Sequence, residues 1–84
     1  MKKIHDIYSI HVDETYLYLT VDGKQYRIKW VDCSPRLTDA TTAQRGRFEV
    51  SPSGYGIHWP EVNEDLAITP LIERAEPLQT QAVG

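Results

Sequence analysis

Eighty-four residues make a single domain with no core to spare for a deep catalytic cavity, because a chain of this size buries only about 60–65% of the surface it exposes when unfolded. Nine basic residues against twelve acidic ones leave a net charge of −3, whereas dedicated DNA-binding domains carry a basic excess. A lone cysteine, Cys33, rules out an internal disulfide and fits a reducing compartment.

A shallow binding surface is therefore expected, and self-association as a homo-oligomer would be a natural way to bury more. The charge is segregated. Residues 24–47 carry six cations against Asp32 and Asp39, and residues 48–84 carry six carboxylates against Arg74. Such segregation steers charged partners, although small chains also scatter charge unevenly by chance. Met1-Lys2-Lys3 is basic, but no apolar run of signal-peptide length follows it, and no stretch approaches a membrane span. The expectation is a cytoplasmic protein without membrane partners.

In chain order, apolar residues first alternate at Tyr8, Ile10 and Val12, then at Leu17, Leu19 and Val21, then at Tyr26, Ile28 and Trp30. Period two with β-branched and aromatic residues predicts three half-buried strands. Asp22-Gly23 is a two-residue hairpin signal. Closing the turn there pairs Leu19 with Tyr26, Leu17 with Ile28, Tyr18 with Arg27 and Tyr16 with Lys29. A tight turn at Asp13-Glu14 would pair Ile10 with Leu17 and Tyr8 with Leu19. The result is an antiparallel meander.

Ser34-Pro35 reads as a helix cap followed by proline at the first helical position, predicting a helix from Pro35 to Ala43 that Gly46 ends. Phe48 and Val50 start a second hairpin, turned at Pro52-Ser53-Gly54, with Tyr55, Ile57 and Trp59 on the return and Pro60 as the stop. Thr69-Pro70 repeats the cap-and-proline signature, predicting one or two helical turns. The fold class is α+β: a small antiparallel sheet made of a three-strand meander plus a second hairpin, with one or two short helices. The domain is expected to span residues 1–75, with residues 76–84 a flexible tail.

Catalysis needs a nucleophile or acid–base pair within hydrogen-bond reach and a third group to orient it. Cys33, His5, His11 and His58 are the candidates, and no constellation forms around any of them in the expected register, so an enzyme is not predicted. A free cysteine is more often an inert buried or surface residue than a nucleophile. His58, Glu61 and Asp65 could supply an open zinc site, but solvated acids around a turn explain them more simply, so no metal or cofactor is predicted. Gly54-Tyr55-Gly56 lacks the rest of a phosphate-binding loop and fits a turn.

The opposite side of the predicted meander places Tyr16, Tyr18, Arg27, Lys29 and His11 together. Three readings compete for this face. A helix packs over it or the tyrosines serve as good strand formers. It is a protein interface, where tyrosine and arginine are the enriched anchors. Or it stacks the bases of single-stranded nucleic acid.

Ser34-Pro35-Arg36-Leu37, Ala40-Thr41, Gln44-Arg45, the run Ser51 to Pro60, and Glu64-Asp65-Leu66 together resemble a bacterial family known as domain of unknown function 2442 (DUF2442). The likeness runs from the first strand to Leu71 and is most specific at Gly56, Ile57, His58, Trp59 and Pro60, followed by Glu64, Asp65 and Leu66. Physically, Ile57 and Trp59 read as core anchors, Pro60 as a strand stop, Asp65 as the cap of a turn into Leu66, and His58 as a bond across that corner. The resemblance implies a small α+β protein, often encoded beside a second small protein of the domain of unknown function 4160 type and suggested to be its antitoxin. It implies no catalytic residues. Some members add a helix-turn-helix, for which this length leaves no room. A protein-interaction module that binds such a partner is the leading expectation, and a single-stranded nucleic-acid or regulatory domain is the alternative.

Overall fold

The computed structural model describes residues 4–78. The meander forms β1 (Ile7–Val12), β2 (Tyr16–Val21) and β3 (Lys24–Lys29). The β2–β3 register is the expected one at every pair, including Tyr18 with Arg27 and Leu17 with Ile28. Asp22 and Gly23 sit at φ of 52° and 84°, the positive values that a type I′ turn requires.

The β1–β2 register differs from expectation. Val12 opposes Leu17, His11 opposes Tyr18 and Tyr8 opposes Thr20. Asp13 is the cause at one end: its Oδ1 accepts from the amides of Thr15 and Tyr16 and its own amide donates to the Tyr16 carbonyl, so the turn falls at Glu14-Thr15, one residue later than expected. A bulge between Tyr8 and His11, with Ser9 at φ 43°, absorbs one extra residue. It turns Tyr8 onto the outer face, 58% exposed, while Ile7, Ile10 and Val12 pack against the core.

Trp30 does not extend the third strand. It opens α1 (Trp30–Cys33), and its indole donates to the Asp13 carbonyl at 2.8 Å. The helix expected over Pro35 to Ala43 is two: α2 (Pro35–Thr38), capped by Ser34, and α3 (Thr42–Arg45). Thr41 and Gln44 form a reciprocal capping box, which supplies a fresh start and breaks the run. Gly46 is the C-cap of α3, as expected.

The second hairpin is β4 (Glu49–Val50) and β5 (Gly56–Trp59), and it gains a third strand, β6 (Glu64–Ala67). A last helix, α4 (Ile68–Arg74), follows directly. Thr69 lies inside this helix, so it is not the expected cap. Glu76–Leu78, expected as the start of the tail, form β7 and pair with β3. Residues 79–84 lie outside the described residues.

The fold is thus α+β, with sheets in the order β1-β2-β3-β7 and β4-β5-β6. Their inner faces and the helices meet in one apolar cluster, to which Leu17, Leu19 and Ile28 contribute from one sheet and Ile57 and Trp59 from the other. Trp30, Leu37, Ile68 and Leu71 fill the space between, and Trp30 meets Trp59 edge-on at 6.3 Å. Each such side chain contributes roughly 1.5–3 kcal/mol of burial. Among the described residues no helix is long and apolar enough to cross a membrane.

Candidate functional site

The buried side chains of α1, α2 and α4 belong to the shared apolar core, and the opposite face of the four-stranded sheet carries no buried residue. Strand pairing sets its rows. Tyr8, Thr20, Gln25 and Leu78 form one, His11, Tyr18, Arg27 and Glu76 the next, and Tyr16 with Lys29 the last. The five residues singled out from the sequence, His11, Tyr16, Tyr18, Arg27 and Lys29, therefore do come together on this face.

The rings are in mutual contact. Tyr16 and Tyr18 stand 5.7 Å apart between centroids, His11 and Tyr18 5.8 Å. The Arg27 guanidinium lies over the Tyr16 ring at 4.5 Å, a cation–π arrangement. Tyr8 and Glu76 belong to the face and were missed. The bulge hid Tyr8. Glu76 sits in a three-residue strand too short to show alternation, and Glu76-Pro77 read as tail.

Glu76 changes the electrostatics. Its Oε1 accepts from Arg27 Nε at 2.8 Å. That hydrogen bond raises the Arg27 pKa above its ordinary value and lowers that of Glu76. The basic half of the face thus carries its own counter-ion, with Lys29 left as the surplus cation of these rows.

The motif at residues 57–66 divides between core and surface. Ile57 and Trp59 are fully buried and Leu66 packs against the core. Pro60 directly follows the end of β5. His58 Nδ1 meets Asp65 Oδ1 at 2.6 Å across the β5–β6 pair, so Asp65 bonds a strand neighbour instead of capping a turn. Glu61 turns to Arg47 instead, which breaks up the third member of the possible zinc set.

The model of a protein of unknown function, DUF2442, matches residues 7–77, from the first residue of β1 to the middle of β7. The chain belongs to the DUF2442 family. No curated protein and no solved structure matches it.

The remaining sequence candidates in this DUF2442 domain have structural work. His5 Nδ1 reaches Asp22 Oδ2 at 2.7 Å and its Nε2 reaches Thr69 Oγ1 at 2.9 Å. A neutral ring that donates at one nitrogen accepts at the other, so acid, imidazole and hydroxyl stand in the order of a hydrolase triad. The residue after Thr69 is Pro70, which offers no amide hydrogen of its own. The array ties the segment before β1, the β2–β3 turn and α4 together. Burial among apolar residues pushes the Cys33 thiol up to about 12, far from a reactive thiolate.

Arg45, which the sequence offered only as part of the family resemblance, is the one buried charged residue of the described chain, 8% exposed. It donates to the carbonyls of Leu37, Glu14 and Thr38 at 2.9, 3.1 and 3.0 Å, and its own carbonyl accepts from the Trp59 indole. It lies over Trp30 at 5.0 Å. One side chain thus locks the β1–β2 connection to α2.

Proposed function

We propose that this DUF2442 domain is a protein-interaction module. In this reading it is the antitoxin-like partner of a small co-encoded protein of the domain of unknown function 4160 type, acts in the cytoplasm, and works by binding and not by catalysis. The supporting observation is the outer face of the four-stranded sheet, which Tyr8, His11, Tyr16 and Tyr18 share with Arg27 and where none of them is buried. Tyrosine and arginine anchors of this kind carry most of the energy at protein interfaces.

The sheet edges favour contact through the face. β1 is bulged, and β7 has three residues with Pro77 at its centre. Both devices discourage the addition of a further strand. The nucleic-acid alternative is weakened by the Arg27–Glu76 pair, since a phosphate would have to displace a carboxylate already in place.

The test is co-expression of a tagged copy with the small protein encoded beside it. A stoichiometric complex that Tyr16→Ala and Tyr18→Ala together disrupt is the expected result. Recovery of the tagged chain alone, with its neighbour soluble in the flow-through, would overturn the reading.

A further inference from the structure

The three-stranded sheet carries a groove of about 410 Å³, within the range of roughly 300–1,000 Å³ typical of ligand sites. Its apolar lining includes Pro52 and Tyr55, the latter 59% exposed, while Val50 and Leu66, which also border it, belong to the row of the buried Ile57. Gly56 and Ala67 are register partners on the groove face, so two of the smallest side chains leave a trough. Gly56 is fixed by packing: a Cβ there would stand 2.7 Å from the Leu66 carbonyl oxygen.

One end of the groove is acidic. Glu49, His58 and Asp65 form a single row across β4, β5 and β6, all three bordering the groove. The His58–Asp65 bond leaves the Asp65 side chain 76% exposed, and Glu49 is exposed as well. Two carboxylates therefore flank one imidazole, and the row stays negative whether or not His58 is protonated. Apolar walls beside this end match an apolar side chain followed by a cation, and they repel an acidic segment or a phosphate backbone.

We propose that this groove is a second protein-binding site, separate from the tyrosine face, which takes a partner segment carrying an apolar side chain next to a lysine or arginine. The apolar side chain lies over Gly56 and Ala67 beside Pro52 and Tyr55, and the cation meets Glu49 and Asp65. The site does not depend on the proposed role of the tyrosine face, because it stands on other residues of another sheet.

The experiment is an amide chemical-shift titration of the whole chain with two capped hexapeptides, one built from Phe, Leu and Arg and the other with every Arg replaced by Glu. The first is expected to shift the amides of Tyr55, Gly56 and Ala67, and the second to leave them in place. Tyr55→Ala and Glu49→Lys, both at exposed positions, are each expected to weaken the first peptide by about tenfold. Equal response to both peptides, shifts confined to the Tyr16–Tyr18 face, or no shift at millimolar peptide would each overturn the proposal.

Discussion

Glu76 accepts a hydrogen bond from Arg27 at 2.8 Å across the β3–β7 pair, so the last described strand provides the counter-ion for a cation on its inner neighbour. Removing that charge is expected to change what the face attracts. Glu76→Gln keeps an acceptor for Arg27 but frees its charge. Affinity for a short single-stranded oligonucleotide at low salt should rise over the parent chain and fall again with added salt. Fluorescence anisotropy reads both, and an unchanged affinity would mean that Glu76 is not what keeps phosphates off.

Tyr18 has ring contacts on two sides, His11 and Tyr16, and sits in the central row of the face. Tyr18→Ala should lower affinity for the co-encoded partner by about 2 kcal/mol, roughly thirtyfold, while the chain stays folded. Calorimetric titration beside a circular-dichroism melt separates the two effects.

Stability should fall in acid. Asp13 is held below its ordinary 3.8 by the amides of Tyr16 and Thr15, Asp22 by the amide of Asp6 and by His5, and Glu76 below 4.5 by Arg27. A depressed folded pKa adds stability that is fully present above the unfolded value and lost as the pH drops through the folded one. The melting temperature should therefore decline from about pH 4.5 downward. Asp22→Asn, which keeps a residue tolerant of positive φ at the turn, should flatten part of that decline. A melt series that is level between pH 5 and pH 2, on the order of the window these groups set, would contradict the assignment.

Arg45→Ala leaves three carbonyls without their donor and opens a gap beside Trp30. The expected cost is on the order of 3 kcal/mol, a large share of the stability of a domain this small. Urea titration followed by tryptophan emission measures it. A loss below about 1 kcal/mol, the net worth of one ordinary hydrogen bond, would show that Arg45 is a passenger.

Cys33, with its thiol pushed up to about 12 and its side chain buried, should resist a thiol-specific disulfide reagent at pH 8 and react in urea. Rapid labelling of the native chain would contradict its placement in the core.

The meander was legible because Leu17, Leu19, Val21 and Ile28 alternate without interruption and Asp22-Gly23 admits one kind of turn. The β1 register was not, since an alternating pattern cannot show that Ser9 takes up a residue of slack. The break between α2 and α3 was present in the sequence as Thr41 and Gln44, three apart, but apolar spacing at Leu37 and Ala40 outweighed it. The strand β6 escaped because Glu64 and Asp65 read as solvated turn acids, although Asp65 is the cross-strand partner of His58. For the candidate face, the β2–β3 pairing placed Tyr16, Tyr18, Arg27 and Lys29 correctly. Glu76, which decides the charge, could only be placed by a pairing 49 residues away in sequence.

The strand order β1-β2-β3-β7 also bears on the timing of synthesis. The meander can assemble from neighbours while the chain is still being made, but its fourth strand is added only after translation has passed Leu78. Until then β3 is a bare edge and Arg27 an unneutralised cation next to exposed tyrosines. A nascent chain stalled before Glu76 would thus present a stickier and more basic surface than the finished one. That makes the ribosome-bound interval the period in which this protein is most exposed to anionic strangers.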